Sequence, residues 1–301
     1  MRIGVTGATG LIGRSLCGAL SDEGHEMIGF SRTPGSGRGL AVAELRGWDV
    51  FASPPTKEAL ADLDAVVHLA GEPIDAGRWS DEQKKRIRDS RIVSTRHLVN
   101  GFRSLDEKPA AFISGSAVGF YGDRGDEVLE ETAPPGSGFM SDVCVEWEAE
   151  AARAKEIGMR VVQVRTGVVL SREGGALKKM LTPFKLGVAG RLGSGRQWFP
   201  WIHIDDIVGI FREAILSTGL AGPVNGVAPN PVTNSEFTRQ LAGALSRPAF
   251  LPVPSIGLKV LMGEMSEVLL GSQRVIPRVM IDRGFEYRFP NLGEALNDLL
   301  A

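Results

Sequence analysis

The sequence predicts an α/β protein: a doubly wound parallel sheet with a smaller, mostly helical C-terminal domain. Two observations carry this. Over the first 170 residues, short, nearly continuous apolar and β-branched runs alternate with stretches of helical periodicity, as expected of parallel strands covered on both faces. After Leu170 that rhythm breaks, and from Pro229 onward Pro-rich junctions separate mostly helical patterns. The spacing predicts strands in RIGVTG (2–7), MIGFSR (27–32), AVVHLAG (65–71), AAFISGSAV (110–118), RVVQVRTGVVL (160–170) and PVNGVA (223–228). It predicts helices from about Leu11 to Glu23, over roughly 80–103 behind the capping-box pattern Ser80-Asp81-Glu82-Gln83, and over roughly 139–157. A further helix over 205–217 takes the Asp205-Asp206 pair as its N-cap, and another starts at the capping box Thr233-Asn234-Ser235-Glu236. Residues 1–170 with about 201–228 form the nucleotide-binding domain, and about 171–200 with 229–301 the smaller one.

Composition narrows the function classes. The chain has 301 residues, 43% of them hydrophobic, which is enough for a sizeable core. Its net charge is −2, from 34 basic and 36 acidic residues, so no nucleic-acid partner is expected. Two cysteines, Cys17 and Cys144, make neither a disulfide framework nor a zinc motif, and no His, Cys or carboxylate set has metal spacing. No apolar run approaches the ~20 residues that span a bilayer. The expectation is a soluble cytoplasmic protein with no membrane partner.

The strongest local signal is VTGATGLIG, residues 5–13. Gly7, Gly10 and Gly13 stand three apart between a strand and a helix, with Thr9, Leu11 and Ile12 completing the loop. That is the context of a Rossmann-type dinucleotide site. The first glycine allows the tight turn, the second lets backbone approach a pyrophosphate, and the third lets helix and strand pack closely. The helix N-terminus then offers free N–H groups to phosphate. At the end of the second strand, where an NAD site carries a carboxylate, the chain reads Gly29-Phe30-Ser31-Arg32. Ser31 can hydrogen-bond a 2′-phosphate and Arg32 can pair with it, so the cofactor predicted is NADP(H).

Together with HLAG (68–71) and SGSAVGFYG (114–122), the glycine loop resembles that of the extended short-chain dehydrogenase/reductases, the superfamily of nucleotide-sugar epimerases. SRIVST (90–95), PPGSGFMSDVCVEWE (134–148), RTGVVLSREGGALKKM (165–180), WIHIDD (201–206) and the stretch from Pro252 to Pro277 resemble its atypical epimerase-like branch. The resemblance implies a Rossmann fold, bound NADP(H), a small C-terminal domain and a small-molecule substrate it does not name. It places Leu69, Ala70 and Gly71 along the adenosine side, Arg91 and Thr95 on the helix bordering the nicotinamide half, and Ser114 on the fifth strand. Thr166, Gly167 and Val168 would follow the sixth strand, beside the carboxamide. A homodimer through the helices at roughly 80–103 and 139–157 is one possible assembly.

In that superfamily a Ser, a Tyr and a Lys one helical turn after the Tyr carry the acid/base chemistry. Ser116 fits the Ser position. The chain's two tyrosines, Tyr121 and Tyr287, are followed four residues later by Gly125 and Asn291, so no Tyr-x-x-x-Lys exists. The helix slots hold either Met140 and Cys144, leading to Glu148, or Phe139 and Val143, leading to Trp147; the first row fits relatives that continue to a Glu. Replacement proton donors are few. Cys144 could act as a thiol or pack as a small hydrophobe, and Tyr121 could reach over the substrate or be structural. Glu146 and Glu148 could be acids or exposed helix carboxylates, and His68 reads as strand-end packing. Gln197 and Trp201, with Trp198, Arg191 and Arg196 nearby, lie where extended relatives place the distal part of the substrate, or fill a domain junction. Three functions compete: an NADP(H)-dependent oxidoreductase, a non-catalytic NADP(H)-sensing module, and a nucleotide-sugar epimerase.

Overall fold

Seven parallel strands build the centre of the computed structural model, which describes residues 1–32 and 39–301. They are β1 (Arg2–Thr6), β2 (Glu26–Ser31), β3 (Glu44–Gly47), β4 (Ala65–His68), β5 (Ala111–Ala117), β6 (Arg160–Thr166) and β7 (Gly222–Gly226), in the order β7-β6-β5-β4-β1-β2-β3. β1 therefore lies between β4 and β2, and the strand order reverses there. That switch point opens a crevice at the carboxyl ends of the strands, where open α/β sheets take their ligands. The registers Thr6↔His68, His68↔Ser114 and Ser116↔Arg165 bring the polar residues used below to one edge.

The longer helices are α1 (Leu11–Asp22), α2 (Asp81–Arg103), α3 (Phe139–Ala152), α4 (Gly175–Lys185), α5 (Ile204–Leu216), α6 (Asn234–Ala244), α7 (Ser255–Met262) and α8 (Leu292–Leu300). Ser80 Oγ accepts from Gln83 N at 3.2 Å and starts α2. At α6 both halves of the capping box form: Thr233 Oγ1 accepts from Glu236 N, and the Glu236 carboxylate accepts from Thr233 N. α2 and α3 lie side by side, joined by the ion pairs Arg88–Glu146 and Arg96–Glu150.

Two sequence expectations are corrected, and one strand goes unpredicted. The short strand β3 (ELRG) escapes period-2 reading because it is a half-exposed edge strand; Gly29 of β2 makes room for it, since a Cβ there would lie 2.7 Å from Leu45 Cδ2. The run at 160–170 is not one strand. It leaves the sheet at Gly167, whose N–H donates to Gly226 O, and Val168–Leu170 then pairs with Trp201–His203. Asp205-Asp206 is not the cap of α5. His203 is, its Nδ1 accepting from Asp205 N at 3.0 Å. Asp206 turns inward instead and accepts from Arg288 N at 2.7 Å and Phe289 N at 3.0 Å, because the returning C-terminal chain presents two otherwise unpaired donors.

One apolar core runs from Ile3 and Val5 of β1 through Phe211 of α5 to Phe237 of α6 and Leu292 of α8, so the C-terminal helices α6 and α8 share the core of the sheet. A second cluster, with Ile28, Leu98, Phe102 and Phe112, fills the opposite face under α2. Asp206→Ala would strand the buried Phe289 N–H and the part-buried Arg288 N–H, so it should lower the unfolding free energy by about 1–3 kcal/mol in urea melts. Asp205→Ala, on the exposed side, should change it by no more than about 0.5 kcal/mol. Equal effects would remove Asp206 as the clamp on the C-terminal chain.

Candidate functional site

The glycine loop is shaped by contacts only glycine permits. Gly7 has φ +70°, and a Cβ there would lie 2.8 Å from the Leu69 carbonyl group. A Cβ on Gly13 would overlap the Gly7 carbonyl oxygen. Gly10 precedes α1 in extended conformation, so the first N–H groups of α1 meet no capping side chain. Over this loop opens a cavity of about 320 Å³. The glycines, Leu11, Ile12, Leu69, Ser116 and Trp147 line it. Thr166, Val168 and the Gly175-Ala176 start of α4 complete it. Thr9 is exposed at the loop, and Ser31, half-buried, and Arg32, exposed, end β2. A larger groove, about 480 Å³, lies far from these residues between α5 and the chain at 283–288. Its arginines are engaged in pairs such as Arg212–Glu23, Arg283–Glu213 and Arg288–Asp205.

The wall after β4 is held from below. Thr6 Oγ1 accepts from Leu69 N and Ala70 N and contacts His68 Nδ1 at 2.7 Å, while His68 Nε2 lies 3.0 Å from Ser94 Oγ. Burial pushes the His68 pKa down to about 3, so the ring is neutral. Arg91 Nη1 donates to the Glu72 and Ile87 carbonyls, its guanidinium lies against Gly71, and its Cζ sits 5.4 Å from the Trp147 ring. Three residues expected at the cofactor make contacts within the protein. Thr95 is buried and donates to Arg91 O at 2.6 Å, Ser114 is buried and donates to Gly115 O, and Gly167 lies against the Pro200 carbonyl.

The favoured helical row packs inward rather than into open space. Met140 covers Gly119, and Cys144 beneath it is fully buried, its thiol pushed up to about 12 by burial and then by the Glu148 charge. Cys144 is therefore a packing residue, not a nucleophile. Glu148 is paired with Arg165 through two bonds, Nε–Oε1 at 2.8 Å and Nη2–Oε2 at 2.9 Å, and Ser116 Oγ donates to the same Oε1 at 2.7 Å. Tyr121 is corrected as well. It does not reach over the pocket, because its phenol is fully buried, donates to Asn225 Oδ1 at 2.7 Å and accepts from Arg165 Nη1 at 2.9 Å. Gln197 and Trp201, expected on the substrate side, are both buried. Gln197 Nε2 donates to Leu192 O, and Trp201 is buried in the core with Nε1 directed at Asn230 O, so both are joints of the inserted segment.

A family model described as the NAD dependent epimerase/dehydratase family matches residues 3–223. The chain belongs to that family. Residues 253–299 match a second model, described as a domain of unknown function, DUF1731. The chain is 39% identical over 311 residues to the chloroplastic SDR39U1 homolog of Arabidopsis thaliana, an epimerase family protein, covering 100% of this chain and 87% of that one. Among solved structures it is similar to human epimerase family protein SDR39U1, isoform 2, crystallised with NADPH: TM-score 0.89, 38% identity, 100% of this chain and 99% of that one. It is also similar to a nucleoside-diphosphate sugar epimerase from Corynebacterium glutamicum: TM-score 0.81, 36% identity, 100% of this chain but 58% of that one.

Within this epimerase-family fold, sequence reasoning missed Arg165, Glu131 and Asn225, which anchor the pocket wall, and undervalued Trp147, which lines it. A signal for Arg165 existed, a charge inside the apolar run RVVQVRTGVVL. Among the described residues no His, Cys, Asp and Glu group could hold a metal.

Two predictions follow from the locked groups. Glu148→Ala leaves a buried guanidinium without its carboxylate and should cost about 3–5 kcal/mol in urea unfolding, with part recovered in the Glu148→Ala/Arg165→Met double variant. The His68 pKa is depressed in the folded state, so the unfolded chain binds a proton that the native one refuses. Stability is then complete above about pH 6.5 and is lost as pH falls toward the folded value. From pH 7.5 to 5.0 the loss should be about 2 kcal/mol, and His68→Gln should flatten it; a flat wild-type profile would contradict the neutral buried ring.

Proposed function

We propose that the chain is an NADP(H)-dependent oxidoreductase that reduces a quinone-like or otherwise activated acceptor. The observation that carries this is the combination of an intact glycine cradle with a catalytic row of Met140 and buried Cys144 where Tyr and Lys would stand. NADPH, when bound, supplies the hydride. The cradle and the N-terminus of α1 would hold its pyrophosphate, and Ser31 and Arg32, at a C-terminal end of β2 that carries no carboxylate, suit a 2′-phosphate. The NADPH bound to the human relative supports the same choice.

Ser116 has its hydrogen committed to Glu148, so its oxygen presents lone pairs to the pocket and can accept from the O–H of the reduced product. With Cys144 protonated and Tyr121 engaged, the proton that accompanies the hydride comes from water. A quinone-like acceptor tolerates this because its reduced oxygen is a weakly basic phenolate. Sugar epimerisation fits less well, since it needs a base and then an acid at one oxygen. The packed Met140–Cys144 row also favours a second reading, a module that binds NADP(H) and reports its redox state without turnover.

Fluorescence titration of the cofactor-stripped protein should show tighter binding of NADPH than of NADH. Arg32→Ala should lose that preference by about tenfold, and Gly13→Val should abolish binding of both. NADPH consumption with a naphthoquinone acceptor would support the oxidoreductase. Tight NADPH binding with no consumption across a quinone panel would favour the sensing module. Failure to bind either nucleotide would sink both.

A further inference from the structure

Large apolar side chains are concentrated on one exposed face of the C-terminal region. Leu186 is 70% exposed, Val188 56%, Phe250 73%, Ile256 75%, Val260 71% and Leu261 75%. They lie on two adjoining segments. Gly187 sits against Pro248, Val253 N donates to Arg191 O, Gly193 N donates to Val253 O, and Gly193 approaches Ser255 at the start of α7. α7 (SIGLKVLM) is apolar nearly all round yet buries only Leu258. A helix of that composition is ordinarily covered, and an apolar patch this concentrated marks an interaction surface.

Charge identifies what covers it. From Gly174 to Ile204 the chain has five basic residues, of which Lys179 pairs with Asp75, and no Asp or Glu; from Ser246 to Gly263 it has two basic residues and again no acid. Lys185, Arg247 and Lys259 are exposed on these segments. Glu264, the first acid after them, is drawn back into an ion pair with Lys84. In a chain of net charge −2, this face combines protruding apolar side chains with the exposed cations Lys185, Arg247 and Lys259.

We propose that this face docks the protein on the surface of an anionic lipid bilayer. Leu186, Phe250 and the exposed residues of α7 enter the headgroup–acyl boundary, and the lysines and Arg247 meet the lipid phosphates. A two-fold contact between copies would bring the same basic residues together, which argues against self-association. Docking of this kind needs no spanning segment. It revises the expectation of no membrane partner, which rested on the absence of a long apolar run. α4 starts at the wall of the glycine-loop cavity and ends at Lys185, beside Leu186, so roughly 16 Å of helix links cavity and face. The proposal stands whatever the chain's reaction proves to be.

The test is flotation of the full chain with phosphatidylcholine vesicles, with and without phosphatidylglycerol. Wild type should float with the phosphatidylglycerol vesicles and much less with phosphatidylcholine alone, and high salt should weaken binding. Ile256→Ser/Val260→Ser/Leu261→Ser, all at exposed positions, should reduce the partition coefficient about tenfold or more, with unchanged circular dichroism. Lys185→Glu/Lys259→Glu should reduce it as well, by a route independent of apolar area. Wild type that stays with the unfloated protein, or variants that float as well as wild type, would overturn the proposal. So would a wild-type dimer in light scattering that the triple serine variant splits without any vesicle binding, which would make the face an interface between copies.

Discussion

A buried guanidinium organises the candidate site. Arg165 sits inside β6 with its side chain nearly inaccessible, and charge in that position is tolerated only where each donor is matched. Glu148 takes two of its bonds, Tyr121 and the Glu131 carbonyl take others, and the plane stacks 3.5 Å from the Phe120 centroid. Each partner is thereby fixed. Glu148 in turn holds Ser116 at the pocket wall, Tyr121 is tied to Asn225 on β7, and the Glu131 carboxylate accepts from Asn225 N and Val279 N. A single strand charge thus joins α3, β5, β7 and the C-terminal chain.

The same pairing explains why the usual acid/base chemistry cannot simply move to a neighbour. Tyr121 is the nearest phenol, but it lies behind the pocket wall with its hydrogen bonds made, and burial raises its pKa despite Arg165. Glu148 occupies the slot one turn beyond the missing Lys, and its carboxylate is held by Arg165 instead of facing the cavity. What stays free to meet a ligand is backbone, Ser116, apolar walls and the glycine cradle. Such a site is equipped for positioning rather than for side-chain proton transfer.

The sheet and the cofactor cradle were legible in the sequence because both rest on local signals: apolar runs of strand length, capping residues, and glycines spaced for close backbone approach. β3 was not, since a half-exposed edge strand has no periodicity to read. The roles of Tyr121, Gln197 and Trp201 were not legible either. Tyr121 and Trp201 are decided by partners far along the chain, Asn225 at 104 residues and Asn230 at 29, and Gln197 by the fold of its own loop onto Leu192 together with Leu269, 72 residues on. The Asp205-Asp206 pair misled for the same reason: local cap chemistry was available, yet the distant backbone at Arg288 and Phe289 captured Asp206. Exposed apolar side chains on α7 were invisible as a surface, because a short apolar run reads as core until its burial is seen.

The charge balance around the cavity ties these features to the ligand. His68 is neutral through desolvation, and Cys144 and Tyr121 stay protonated, so none of the three carries charge near neutral pH. Glu148 and Arg165 cancel one another. Arg91 remains, held by carbonyl groups and by the Trp147 ring rather than by a carboxylate hydrogen bond, and the open N-terminus of α1 adds the positive end of its dipole. The open N-terminus of α1 is thus a fixed positive end that lines the cavity itself. That positive end favours an anionic dinucleotide over a neutral ligand.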